Sequence, residues 1–272
     1  MKLNKLIKAA LSEDIGSRDH TTELFIPKDM KIRAVITANE DGVICGVDIV
    51  RQVFQALDKQ ILVQPRVKDG QCVKKGKVLM VLSGKARGIV TAERVALNFV
   101  SMLSGVATHT RKFAEAVKPY KVKILDTRKT FPGLRLLQKY AVRMGGGYNH
   151  RMSLDEMVLI KDNHLHINKD YRKYLKLAKK YKVEVEVENL QEFKEALGSG
   201  IDMIMLDNMS VSDIKKAVWL RNNFHQQTKL EASGNISLAN IRRYASTGVD
   251  YISIGSLTKD IQSLDVSMEV TR

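Results

Sequence analysis

Aromatic residues make up only 6% of the 272-residue chain, and no basic stretch is interleaved with aromatics in the way that stacks single-stranded bases. Acidic residues are also short: 30 Asp and Glu stand against 45 Lys and Arg, a net charge of +15. That balance favours nucleic acid, an anionic membrane or small anionic substrates. Much of the excess is lysine in helix-like runs such as YRKYLKLAKKYK at 171–182, which reads as a solvated face. Cysteines number two, Cys45 and Cys72, without CxxC spacing, so neither a disulfide framework nor a zinc site is expected, and both thiols should be reduced and buried. No stretch approaches the roughly 20 consecutive apolar residues that cross a bilayer. MKLNKLIKAALSEDIG reads as a short amphipathic helix rather than a signal peptide. A soluble, cytoplasmic protein with no nucleic-acid or membrane partner is expected.

What the chain does have is 44% hydrophobic residues, enough for a sizeable core. Residues 31–84 are β-like, with KIRAVITA, GVICGV, ILVQPRV and VLMVL broken by DG turns and by Gly76 and Gly84, and with the helical DIVRQVFQAL inserted. VKDGQCVKKGKVL resembles a lipoyl- or biotinyl-carrier turn but lacks the exposed lysine at a hairpin tip, which favours a structural turn. Apolar residues recur at helical spacing through 86–117. Beyond that, six short strands alternate with amphipathic helices, the pattern of parallel βα units in a barrel or an open parallel sheet.

Polar groups stand at the carboxyl end of every one of those strands. In order they are Asp126 with Arg128 and Lys129; Lys161 with Asp162 and Asn163; Glu186 and Glu188; Asp207 with Asn208; Glu231 with Ser233 and Gly234; and Gly255 with Ser256. In a barrel these ends share the face where active sites are built. Arg128, Lys129, Arg151 and Lys161 can hold carboxylates or phosphates. Glu186 and Asp207 can hold magnesium or accept hydrogen bonds from sugar hydroxyls. SGN at 233–235 and IGS at 254–256 offer backbone N–H groups to a phosphate. A lone strand-end lysine, His150 or the GGG at 145–147 would each read as structural, and Glu184, Glu186 and Glu188 as an exposed edge. Together they suit a polyanionic sugar phosphate.

Eight ordered blocks carry a resemblance: EDIGSRDHTT, TAERVALNF, DTRKTFPGLR, GGGYNHRMSLDEMVLIKDNH, VEVEVENL, IMLDNMS, EASGNI and SIGSLT. From about residue 11 to 259 the chain resembles the quinolinate phosphoribosyltransferase family, also called nicotinate-nucleotide pyrophosphorylase. The resemblance implies a glycosyltransferase that joins quinolinate to 5-phosphoribosyl 1-diphosphate, giving nicotinate mononucleotide, pyrophosphate and CO2 in NAD biosynthesis. It implies an α/β fold of the type II phosphoribosyltransferase kind: an amino-terminal α/β sandwich domain (1–110, with 260–272 returning to it) and an incomplete (β/α) barrel (111–259). It further implies a magnesium cofactor and a homodimer or hexamer in which Arg94 enters the neighbouring subunit's site.

By the same resemblance, Thr127, Arg128, Lys129, His150, Arg151 and Lys161 form the basic pocket for quinolinate and the diphosphate. Glu186, chosen over Glu184 and Glu188 by its spacing to Asp207, pairs with Asp207 near the ribose and the metal. Ser233, Gly234, Asn235, Ile254, Gly255 and Ser256 hold the 5-phosphate, and Lys129, Lys161, Glu186 and Asp207 act in catalysis. Two departures stand out: Phe131 replaces a threonine, and Ser256 and Lys259 replace alanine and histidine. Rival readings are the related ModD-type molybdenum-associated family and nicotinate phosphoribosyltransferase; IKDNH and ERVALNF favour quinolinate. A DNA-binding protein would instead spread its charge over an outer face.

Overall fold

The structure, a computed structural model, describes residues 3–168, 170–178 and 180–271. Met1, Lys2 and Arg272 of the expected sandwich domain, and Lys169 and Lys179 of the helix expected across 169–180, lie outside the described residues. The chain divides into two compact units, Met1–Arg111 with Phe131–Gly146 and Asp260–Arg272, and Lys112–Thr130 with Gly147–Lys259.

The first unit is built on a four-stranded antiparallel sheet of β1 (Lys31–Ala38), β3 (Leu62–Pro65), β5 (Val78–Lys85) and β12 (Val266–Thr271), in the order β12-β1-β5-β3. Alternation along β1 buries Ala34, Ile36 and Ala38 completely and leaves Arg33 exposed. β12 pairs with β1 in the register Ala34↔Val270. A ribbon of β2 (Gly42–Val43) and β4 (Cys72–Val73) adds a second small sheet. Helices α1 (Leu3–Ile15), α2 (His20–Phe25), α3 (Val47–Leu57), α4 (Ala86–Ala116, to Arg111 in this unit) and α5 (Arg135–Met144) complete it. Asp69 caps α3, its Oδ1 accepting the N–H groups of Gly46 at 2.9 Å and Val47 at 3.0 Å.

Three expectations need correction here. Cys45 is fully buried, and burial pushes its thiol pKa up, but Cys72 is exposed because the ribbon turns Val73 inward and Cys72 out. By length and composition α4 passes for a helix that could cross a bilayer, but its most apolar stretch carries Glu93 and Arg94 and is 61% buried within the protein. Residues 131–146, expected with the barrel, group with the first unit. The Tyr140 hydroxyl donates to Asp69 at 2.7 Å, Arg111 Nε donates to the Gly145 carbonyl at 3.0 Å, and a Cβ on Gly145 would lie 2.5 Å from the Ala107 oxygen.

The second unit is a parallel sheet of β6 (Lys123–Leu125), β7 (Val158–Ile160), β8 (Val183–Val187), β9 (Met203–Asp207), β10 (Lys229–Ser233) and β11 (Tyr251–Ser253). Its order, β6-β11-β10-β9-β8-β7, pairs the first strand with the last and leaves an open seam between β6 and β7. This is the incomplete barrel. Helices α6 (Asp162–Ile167), α7 (Leu190–Leu197), α8 (Val211–Phe224), α9 (Ile241–Ala245) and α10 (Ser256–Lys259) follow the strands. Between β7 and β8, after α6, Tyr171–Ala178 winds as a 3₁₀ rather than an α-helix. Val185 and Val187 of β8 are buried, and so are Glu184 and Glu186 on the strand's other face.

Candidate active site

Each polar group at the rim of the second unit is placed by the strand it follows. Lys161 ends β7 and caps α6, and its Nζ contacts the Glu186 carboxylate on neighbouring β8. Glu186 is 8% exposed. The parallel register sets Glu186 opposite Met205, so Asp207, two residues on, faces the same way one pleat higher. Asp207 accepts Asn208 Nδ2 at 2.6 Å. Lys129 leans over Gly255, its Cδ 3.1 Å from where a Cβ there would stand, with Lys259 Cε 3.8 Å from the same point. The Thr258 hydroxyl donates to the Lys129 carbonyl at 2.7 Å, and the Lys129 N–H donates to Thr127 Oγ1 at 3.1 Å. Ile254 N–H reaches the Leu125 carbonyl at 3.0 Å and fixes where Gly255 and Ser256 begin α10.

The loops after β9 and β10 are tied together by strained residues. Asn208 at φ 53° and Asn235 at φ 50° are the positive-φ non-glycine residues among those described. Asn208 N–H donates to the Ser233 carbonyl at 2.9 Å, and Asn235 Nδ2 donates to Asn208 Oδ1 at 3.0 Å. Gly234, at φ 92°, lies so close that a Cβ would fall 2.2 Å from Asn208 Oδ1. Strain of this kind concentrates where a loop must hold a ligand.

Deeper in the same unit lies a buried polar layer. Asp126, fully buried, accepts Asn149 Nδ2 at 2.5 Å and the His150 N–H at 2.9 Å. His150 Nε2 lies 2.9 Å from Glu184 Oε2 and 3.5 Å from Glu231 Oε2, both carboxyls being fully buried. Burial pushes both carboxyls up to about 8; the neighbouring Glu184 raises Glu231 further, while Lys161 and Arg151 pull Glu184 back. Arg151 Nη1 donates to the Met157 carbonyl at 3.0 Å, and burial first, then the nearby Arg128 charge, lowers its pKa. Arg128 Nη1 is buried without a hydrogen-bond partner. An orphaned guanidinium nitrogen beside a second guanidinium is a site that an anion completes.

Comparison with known proteins identifies the family. The family described as quinolinate phosphoribosyl transferase, N-terminal domain, matches residues 19–104, and its C-terminal domain matches 106–269. The chain belongs to the quinolinate phosphoribosyltransferase family. It is 39% identical over 276 residues to a probable nicotinate-nucleotide pyrophosphorylase (carboxylating) of Bacillus subtilis, covering 100% of this chain and 94% of that one. It is 42% identical to the chloroplastic nicotinate-nucleotide pyrophosphorylase (carboxylating) of Arabidopsis thaliana, covering 98% of this chain and 82% of the other. The solved nicotinate-nucleotide pyrophosphorylase of Francisella tularensis superposes with a TM-score of 0.92 at 43% identity, covering 99% of this chain and 96% of that one.

Every expected site residue except Arg94, which belongs to the first unit, lies in the second unit, at the ends of its strands or in the segment between β6 and β7. Arg94 is exposed on α4 and has no hydrogen-bond or ion-pair partner among the described residues. Of the three alternating glutamates, Glu184 and Glu186 are buried and only Glu188, past the strand, is exposed, because β8 is flanked on both sides and has no free edge. The sequence placed Asp126 and Glu231 among the strand-end groups without a specific role and read Glu184 as an exposed edge. The signal was there in a glutamate inside an otherwise apolar strand, which burial makes costly unless it is used. Phe131 is half exposed, and its N–H donates to Gln138 Oε1 at 2.8 Å within the first unit. Nothing in the structure explains its aromatic ring.

Proposed function

We propose that the protein transfers the phosphoribosyl group of 5-phosphoribosyl 1-diphosphate to quinolinate and decarboxylates the product, giving nicotinate mononucleotide, pyrophosphate and CO2. The observation that carries this reading is the buried, unpartnered Arg128 Nη1 beside Arg151. Two guanidiniums held together suit a ligand with two carboxylates better than the single one of nicotinate.

In this reading Arg128, Arg151 and His150 enclose the pyridine dicarboxylate, and Lys129 and Lys161 face the diphosphate. Ser233, Gly234, Asn235, Gly255 and Ser256 receive the 5-phosphate on backbone N–H groups. Fixing the pyridine nitrogen against the anomeric carbon supplies the proximity term, worth roughly 7 to 11 kcal/mol at its upper limit. As pyrophosphate leaves, Glu186 and Asp207 face the positive charge growing on the ribose. Ribosylation makes the ring nitrogen cationic, so it stabilises the electron pair left on the adjacent carbon when its carboxylate departs as CO2; a proton then takes that place. Glu186 and Asp207 are carboxylates on neighbouring strands facing the same way, the kind of hard oxygen ligands that magnesium takes, one or two at a time, beside substrate phosphates and water. Magnesium held there would neutralise the departing diphosphate.

The working unit is a homodimer in this reading, with the exposed, unpartnered Arg94 completing the partner's quinolinate pocket. We place the protein in the cytoplasm, unlike the Arabidopsis relative, which is named chloroplastic. The test is direct: purified protein with magnesium and phosphoribosyl diphosphate should form nicotinate mononucleotide from quinolinate and not from nicotinate. Product from nicotinate alone would transfer the chain to the rival activity.

A further inference from the structure

The buried groups around His150 have no role in the chemistry above, yet they are costly to bury. Glu184 Oε1 and both oxygens of Glu231 are buried without a hydrogen-bond partner. The ligand atoms of His150, Glu184 and Glu231 lie within 4.8 Å of one another, close enough to suggest a metal site. The ring geometry speaks against one. Arg151 N–H donates to His150 Nδ1 at 2.8 Å, so the neutral imidazole carries its proton on Nε2, and that N–H points at Glu184 Oε2, 2.9 Å away. A metal on Nε2 would need the proton moved to Nδ1, where it would meet the Arg151 N–H head-on.

With both ring nitrogens occupied, His150 is a strut rather than an acid or base. We propose that Glu184 is a positioning residue that locks His150 in the Nε2–H tautomer and, through it, holds Arg151 against Arg128 in readiness for the dicarboxylate, with the Glu231 carboxyl standing 3.5 Å from the same nitrogen. The segment is fastened on its other side too, by Asp126 on Asn149 Nδ2 and the His150 N–H. Arg151 is further tied to the Met157 carbonyl. Two like charges repel and move apart unless a scaffold holds them, and this layer is that scaffold. The inference deepens the reading of the pocket as a quinolinate site and rests on it.

Two measurements on Glu184→Gln and Glu184→Ala decide it. The first is nitrogen-15 NMR of histidine in the free protein, with the His150 signal identified by its loss in His150→Gln. Wild type and Glu184→Gln should show the Nε2–H tautomer and Glu184→Ala a mixture. An Nδ1–H ring, an imidazolium, or a shift that appears only with added zinc overturns the lock. The second is steady-state kinetics: Glu184→Ala should raise the KM for quinolinate roughly ten- to a hundredfold, the loss expected for a hydrogen bond to a charged group. The KM for phosphoribosyl diphosphate should hardly move, and Glu184→Gln should recover most of the loss. Equal defects in both substrates, or no rescue by glutamine, would reduce the cluster to ordinary core structure. Absence of any turnover of quinolinate by the wild type would sink the functional reading and leave the NMR result to judge the lock by itself.

Discussion

Arg128 and Glu231 each make an exacting demand on the second unit. One is a buried donor lacking an acceptor, the other a buried carboxyl lacking a donor. The Glu231 carboxyl, raised to about 8 first by burial and then by Glu184, keeps in the folded state a proton that the unfolded chain releases above about 4.3. Its contribution to stability is therefore complete below the unfolded value and is lost as pH rises through about 8. Thermal melting at pH 6 and pH 9 should show the wild type losing stability at the alkaline end, with Glu231→Gln flattening that loss. An unchanged pH slope in the glutamine variant would mean that Glu231 does not hold the proton. Arg128 was legible in the sequence because its place after a strand and beside Lys129 is a linear feature. The demand on Glu231 was not, because it arises from three strands meeting around one side chain, and spacing along the chain does not report that.

At the scale of elements, the six strands and the carboxyl-terminal position of the polar groups could be read from alternation and turn chemistry alone. Two features could not. The helix Arg135–Met144 follows β6 in the chain, yet it packs with the first unit through Tyr140 and Gly145 against Asp69 and Ala107, contacts remote in sequence. Tyr171–Ala178 has the lysine pattern of a solvated α-helix but forms a 3₁₀ turn. The β9 and β10 loops carry the sharper prediction. Gly234 at φ 92° stands against Asn208 with no room for a side chain, so Gly234→Ala must displace the Asn208–Asn235 link. It should raise the KM for phosphoribosyl diphosphate at least tenfold, with a loss of stability of about 1 to 3 kcal/mol for a side chain forced into this backbone. A variant with normal KM would show that this turn does not receive the phosphate.

For the whole molecule, the net charge of +15 is of the sign that attracts anionic substrates, although much of it stands on solvated helix faces. Arg94 alone among the expected residues stands outside the second unit, exposed and unpartnered. A shared site predicts intersubunit complementation: chains carrying Arg94→Ala and Lys161→Ala, each inactive, should regain up to about a quarter of wild-type activity when mixed under conditions that exchange subunits. No recovery after exchange has been demonstrated by mass would place Arg94 in its own subunit's chemistry or in none. The central claim, a dicarboxylate taken up and shortened by one carbon, is tested most directly with quinolinate labelled in its 2-carboxylate. With magnesium and phosphoribosyl diphosphate, labelled CO2 and unlabelled nicotinate mononucleotide should appear one for one. Label retained in the nucleotide, or CO2 released without nucleotide, would contradict the account.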